Sequence, residues 1–273
     1  MKKVLFASTA LVMTAGVAAA EVSISGEASM GLKSNVGAST ETQVHSSVEF
    51  YLSGSVATDS GLTVGASTDL GSTSSADSVV AAGNLNDPEV YVSYEGFTLT
   101  VGDIGEAQDQ GGLADIGYDG IGIDDIAEVG GFGSHDVRVD FAMGDISIAA
   151  SMDSDSTNND YGIGASMSFD AVSIAVGFGE TGGASQTVVS LGYSAGALGA
   201  TLYYADNGAA TGQGINLSYT TGDVTVSAGY SESGGTDGYG IGVAYDLGGA
   251  TLAAGFGNDG TESVADLGVS FTF

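Results

Sequence analysis

From Val44 to Val56, apolar side chains hold alternate positions at Val44, Val48, Phe50, Leu52 and Val56, with His45, Ser47, Glu49, Tyr51 and Ser53 between them. A period of two makes an extended strand with two unlike faces, because successive strand side chains point to opposite sides. The pattern recurs along the chain. Val137, Val139, Phe141 and Met143 alternate with Arg138, Asp140 and Ala142; Ile146, Ile148, Ala150 and Met152 alternate with Ser147, Ala149 and Ser151. Runs of this kind predict sixteen strands, near 21–32, 43–57, 62–70, 89–95, 97–103, 136–143, 145–153, 160–169, 172–180, 186–193, 197–205, 213–220, 223–231, 238–246, 250–258 and 264–273. Beyond residue 20 no stretch of about 18 apolar residues occurs, so the strands are not accompanied by a spanning helix.

The connections alternate in length. Thr58-Asp59-Ser60-Gly61, Glu95-Gly96, Gly144-Asp145, Asp170-Ala171, Ser194-Ala195-Gly196, Thr221-Gly222 and Leu247-Gly248-Gly249 read as tight turns, and the segments between them as longer loops rich in Asp, Gly and Ser. One face of each strand carries Val, Ile, Leu and Ala. The other carries small and polar residues, such as Gly162, Gly164, Ser166 and Ser168, or Asp223, Thr225, Ser227 and Gly229. That face reads as the lining of a wide aqueous lumen rather than a packed core, with lipid outside. Aromatic residues fall at strand ends at a fixed spacing: Phe178, Tyr204, Tyr230 and Phe256 on the loop side, Tyr193, Tyr219, Tyr245 and Phe271 on the turn side. Two such rows are the girdles that place amphipathic rings at headgroup depth. The expected fold is therefore all-β, a transmembrane antiparallel β-barrel of sixteen strands.

The start of the chain agrees with a membrane destination beyond the cytoplasm. Lys2 and Lys3 precede an apolar run to about Val17, and Ala18-Ala19-Ala20 follows, the form of a signal peptide cleaved between Ala20 and Glu21. The expected organisation is a signal peptide at 1–20 and a barrel at 21–273. Past the leader only Lys33 and Arg138 are basic, against 34 Asp and Glu in the chain. A nucleic-acid partner is excluded, since binding needs a Lys/Arg footprint. The chain has no Cys, which excludes disulfides and thiolate metal sites.

One connection, 104–135, is the longest and carries Glu106, Asp109, Asp115, Asp119, Asp124, Asp125 and Glu128. A loop of this length is usually functional. Counting parity from the outward Val22 and Ile24 turns Lys33 inward, and from Val137 and Val139 it turns Arg138 inward; His45 and Glu49 also point inward. Arg138 is expected to pair with carboxylates of the long loop and hold it against the wall. The histidines, His45 and His135, read as ordinary lining residues, Ser134 being the one nucleophile candidate near His135. Gly130-Gly131-Phe132-Gly133-Ser134-His135-Asp136 departs from the calcium-binding nonapeptide by one residue and has no tandem copies, so no β-roll is expected. Loosely bound Ca²⁺ on Asp124, Asp125 and Glu128 is retained as an expectation, and no other cofactor is foreseen.

The opening Glu21-Val22-Ser23-Ile24-Ser25-Gly26, the stretch Thr58-Asp59-Ser60-Gly61-Leu62 with Gly65-Ala66-Ser67, Tyr239-Gly240-Ile241-Gly242 with Tyr245-Asp246-Leu247-Gly248-Gly249, and the ending from Val264 to Phe273 resemble one family. It is that of the sixteen-stranded general-diffusion porins of purple non-sulphur bacteria and their alphaproteobacterial relatives. The resemblance implies a homotrimer in the outer membrane of a Gram-negative bacterium, in contact with lipid and lipopolysaccharide, whose third long loop folds into each lumen as the constriction. It also implies that the terminal Phe273 is read by the barrel-assembly machinery. The sequence departs from the family in offering only Lys33 and Arg138 for the basic side of that constriction. The expected function is a water-filled, cation-preferring channel for small hydrophilic solutes and ions, with no catalysis. The alternative is a barrel without transport, an adhesin or structural barrel, or more remotely a barrel hydrolase.

Overall fold

The computed structural model describes residues 20–36, 42–75, 78–79, 86–129, 132–155 and 157–273. The expected leader, apart from Ala20, and the Gly130-Gly131 pair lie outside them. Seventeen strands follow in order: β1 (Ala20–Val36), β2 (Thr42–Ala57), β3 (Thr63–Ser75), β4 (Ser78–Val79), β5 (Asn86–Tyr94) and β6 (Phe97–Gly105). Past a short helix, α1 (Ile123–Glu128), come β7 (Ser134–Met143), β8 (Ile146–Met152), β9 (Tyr161–Phe169), β10 (Val172–Thr181) and β11 (Ala184–Ala195). The last are β12 (Leu198–Asp206), β13 (Thr211–Thr221), β14 (Val224–Ser233), β15 (Thr236–Asp246), β16 (Thr251–Asn258) and β17 (Ser263–Thr272). The two-residue β4 only pairs antiparallel with the end of β3, on the side where β5 pairs further down, so the wall has sixteen staves.

Every stave pairs antiparallel with its chain neighbours, and β17 pairs with β1, from Glu27 opposite Thr272 to Val36 opposite Ser263. The sheet has no open edge, which is what a bilayer demands of strands. The alternation read from the sequence holds its register: Val22, Ile24, Met30 and Leu32 are exposed outward on β1, as are Val139 on β7 and Ile146 and Ile148 on β8. Tight turns take the chemistry they need. Glu95 (φ 46°) and Gly96 (φ 89°) both stand in the left-handed region, the conformation whose twist matches a two-residue hairpin.

Two expectations are corrected. The loop-side rim is not uniformly long, because polar residues such as Glu180, Thr181 and Ser185 continue the ladder beyond the apolar runs. As a result β10 and β11 are joined by Gly182-Gly183 alone, and β14 and β15 by Gly234-Gly235. Nor do the small residues of the inner face simply leave the lumen wide. The connection between β6 and β7 folds inside the barrel, and the glycines of the far wall are its seat. A Cβ at Gly229 would strike Ile123 and Ile116, and one at Gly177 would strike the Gln108 backbone.

Two small apolar clusters result inside the lumen. Leu113 and Ala127 of the loop pack with Val188, Tyr203 and Ala205 of the wall, flanked by Val129 and Phe132. Ile116, Ile121 and Ile123 pack with Val264 of β17. The clusters give the loop its own core against the wall, since each apolar side chain buried contributes about 1.5–3 kcal/mol.

Candidate functional site

The root of the loop is fixed by a buried polar network. Glu106 and His135, each with a side chain only 1% exposed, stand at the two ends of the connection, His135 Nε2 lying 3.6 Å from Glu106 Oε1. Gln108 Nε2 donates to Glu106 Oε2 at 2.6 Å and to Gln186 Oε1 at 2.9 Å, and Thr181 Oγ donates to Glu106 Oε1 at 2.9 Å. His135 Nδ1 is 2.7 Å from Ser151 Oγ, which also accepts the Ala107 N–H at 2.7 Å. The structure thus removes Glu106 from the set of lumen-facing acids, and His135 from the ordinary lining residues. The serine beside His135 is Ser151 and not Ser134. Serine, imidazole and carboxylate in a row resemble an activated nucleophile, yet the group is shut in beneath the loop, where no substrate reaches.

Arg138 points inward, as parity requires, but its carboxylate partner is Asp140, two residues along the same strand face. Nη2 lies 2.9 Å from Oδ1, and Nη1 donates to the Gly105 carbonyl at 3.0 Å. It therefore holds the loop by its backbone at the root and not by a loop carboxylate. The residue that meets a loop carboxylate is Lys33, whose Nζ lies 3.0 Å from Asp119 Oδ2, with His45 Nδ1 3.5 Å from Oδ1.

Next to that pair stand two residues that sequence reasoning passed over. Asp266, on the inner face of β17, accepts the N–H groups of Tyr118 and Asp119 on Oδ2, at 3.0 and 2.8 Å. The Tyr118 ring lies over Gly31 and Gly268, and its hydroxyl is 3.2 Å from Ser29 Oγ and 3.3 Å from His45 Nδ1. Parity alone marks Asp266 as inward, since its neighbour Leu267 is exposed outward.

The remaining acids face the passage. Asp109, Asp115 and Asp125 are exposed, and Asp124 and Glu128 are half-buried. Enclosure of the loop within the barrel and mutual crowding raise four of them, Asp109, Asp124, Asp125 and Glu128. Burial, then Asp115, pushes the Asp124 carboxyl above its ordinary range. Burial, then Asp124, Asp109, Asp125 and Asp115, pushes Glu128 up to about 7. Asp109 is raised by burial and by Glu106, against the pull of Arg138. On the wall, Glu49 accepts the Tyr51 hydroxyl at 3.0 Å and sits directly across from Glu27, a second inward carboxylate. The calcium candidates Asp124, Asp125 and Glu128 do not converge: among the described residues no three His, Asp or Glu side chains are grouped to hold a metal ion.

A closed barrel of sixteen staves with a loop packed inside it, and a polar passage beside that loop, is the geometry of a channel. The model of the Gram-negative porin family matches residues 7–272. The chain belongs to that family. The porin is accordingly a passive diffusion channel of the Gram-negative outer membrane, and not an enzyme. A triple mutant of the Rhodopseudomonas blastica porin superposes with a TM-score of 0.79 at 23% identity, covering 92% of this chain and 100% of that one. A fivefold variant of the same protein gives 0.78 at 24% identity, with the same coverage. A structure from work on the asymmetric conductivity of engineered proteins gives 0.79 at 24% identity, over 93% of this chain and 100% of that one. At such identity these likenesses bear on the fold alone. No curated protein matches the chain in sequence.

Proposed function

We propose that the porin is a general-diffusion pore for small hydrophilic solutes that prefers cations, and that the segment 104–135 sets its width. One observation carries the reading. Both basic side chains beyond the leader are already matched to carboxylates, Lys33 to Asp119 and Arg138 to Asp140, while Asp109, Asp115, Asp124, Asp125, Glu128, Glu27 and Glu49 form no ion pair with a lysine or arginine among the described residues. Uncompensated carboxylates in a passage with low-dielectric walls focus a negative potential, which concentrates cations and repels anions.

The outer surface supports the trimer. The loop-side aromatic row, Tyr161, Phe178, Tyr204, Tyr230, Tyr239 and Phe256, is exposed on staves from β9 to β16. From β1 to β8 the same level carries Val44, Val90, Val101 and Met152 instead. Where the aromatic belt is missing, a second copy in place of lipid headgroups accounts for the gap. Removal of residues 1–20, recognition of Phe273 by the assembly machinery, contact with lipopolysaccharide and loosely held Ca²⁺ belong to the same proposal.

The test is bilayer recording of the purified mature protein in a salt gradient. Stepwise openings with a cation-selective reversal potential are expected, and deletion of residues 108–130 should raise single-channel conductance. An anion-selective parent would defeat the electrostatic reading, and unchanged conductance after the deletion would defeat the role of the loop.

A further inference from the structure

We propose that Asp266 is the positioning residue of the constriction, and that it holds the loop across the seam where the last strand closes on the first. In the seam register Asp266 stands opposite Lys33, and Gly268 opposite Gly31. Each of these four residues touches the tip of the loop. Asp266 takes the two backbone N–H groups of Tyr118 and Asp119 on one oxygen, Gly268 and Gly31 form the floor beneath the Tyr118 ring, and Lys33 pairs with Asp119. Ser29 of β1 and His45 of β2 complete the seat. The loop starts from β6 and ends at β7, several staves away, so its tip crosses the lumen to reach this point.

Two consequences follow. The seat has one half on β17 and the other on β1 and β2, so it comes into being only when the barrel has closed, and docking of the loop is conditional on closure. And Asp266, itself only 6% exposed, is placed to act through the loop and not on the solute. An anionic acceptor is suited to two convergent N–H groups, since bonds to a charged partner are shorter and stronger than neutral ones. Its other oxygen makes no hydrogen bond among the described residues, so the carboxylate's burial is offset chiefly by the loop it holds.

The inference rests on the loop being the constriction. Parent, Asp266→Ala, Asp266→Asn, Tyr118→Ala and the double variant Asp266→Ala/Tyr118→Ala would be recorded as assembled mature channels. Asp266→Ala is expected to add a wider conductance state whose occupancy rises at least about tenfold, because both charge-assisted bonds to the loop are lost, with an altered reversal potential. Asp266→Asn, which keeps an oxygen acceptor, should fall between. Tyr118→Ala should give the same wider state, and the double variant should not add to it, because both act on one docking step. A merely structural role for Asp266 would lower the number of channels formed without adding a state.

Asp266→Ala channels with parental conductance and selectivity would overturn the proposal. If that variant does not assemble, Tyr118→Ala, which alters no strand, decides in its place, and parental behaviour there is equally fatal. Deletion of 108–130 separates the two levels: no change on deletion sinks the constriction itself, whereas a wider deleted pore with parental point variants sinks only the part given to Asp266.

Discussion

The ammonium of Lys33 lies 3.0 Å from Oδ2 of Asp119, so the lysine that parity turns into the lumen is neutralised by the loop it faces. The pair is about a third exposed on the lysine side, where solvent screening keeps the coupling to about 0.5 kcal/mol. Lys33→Met should therefore leave assembly and thermal stability nearly unchanged. It should raise the cation-over-anion permeability ratio by a modest factor, about twofold at low salt and less at high salt, because it frees one carboxylate. A fall in that ratio, measured as the reversal potential in a salt gradient, would show that Lys33 does not act through Asp119.

The glycines of the inner wall offer a matched comparison. At Gly177 a Cβ would run into the Gln108 backbone, which cannot swing aside, whereas at Gly240 it would meet Ile116 and Ile121 side chains at an ordinary 3.5 Å. Gly177→Ala should loosen the loop, at an overpacking cost of about 1–3 kcal/mol. Gly240→Ala should be silent. The check is limited proteolysis of the assembled oligomer, with new cleavage between residues 104 and 135 in the first variant only; equal protection in both would mean that the glycine seat is not what admits the loop.

Much of this wall was legible because lipid outside and water inside impose opposite demands on alternate residues, so Val137 and Val139 fix the face of Arg138 without further information. The inward direction of Lys33, His45 and Glu49 followed in the same way. What parity cannot give is the partner across space. Arg138 was expected to meet loop carboxylates but meets Asp140 instead, because a residue two positions along the same strand face is nearer than any loop side chain. Glu106 reads as a loop acid and His135 as an ordinary lining residue, and both are buried because they stand where the loop leaves and rejoins the wall. The seat of Tyr118 and Asp119 depends on Gly31 and Gly268, which stand far apart in sequence and become neighbours only through closure of the barrel.

Closure also gives Phe273 a defined place. Its N–H and C=O both bond to Gly26, each at 2.8 Å, which continues the β1–β17 ladder to its last residue. The ring stands edge-on to Phe50 at 5.5 Å and lies close over Gly26. Phe273→Asp should lower the amount of heat-modifiable oligomer in the outer membrane severalfold while export to the periplasm continues, because the charge replaces an apolar ring packed on Phe50 and sits on the seam itself. Normal oligomer levels on unheated electrophoresis would refute this. Gly26→Ala should show a milder version, since its Cβ would meet the Glu49 carbonyl and the Phe273 ring.

Glu128 makes the pore sensitive to pH in a defined direction. Burial, and then the carboxylates of Asp124, Asp109, Asp125 and Asp115, push its carboxyl up to about 7 from the ordinary 4.5. A carboxyl raised in the docked loop binds its proton more tightly there than in an undocked one. Ionisation therefore opposes docking: the loop is held most firmly near or below the ordinary value, loosens as pH rises from about 4.5 to about 7, and loosens no further above that. The charge itself changes in the same interval. Lowering the pH from about 8 to about 5 should reduce cation preference and the occupancy of any wider state together, with a midpoint near neutrality well above that of an exposed carboxylate. Glu128→Gln should flatten this response near pH 7. A full response near pH 7 in Glu128→Gln would assign the titration to another group, and a parent whose selectivity is flat from pH 8 to 5 would show that the crowding around Glu128 is relieved by solvent in the open passage.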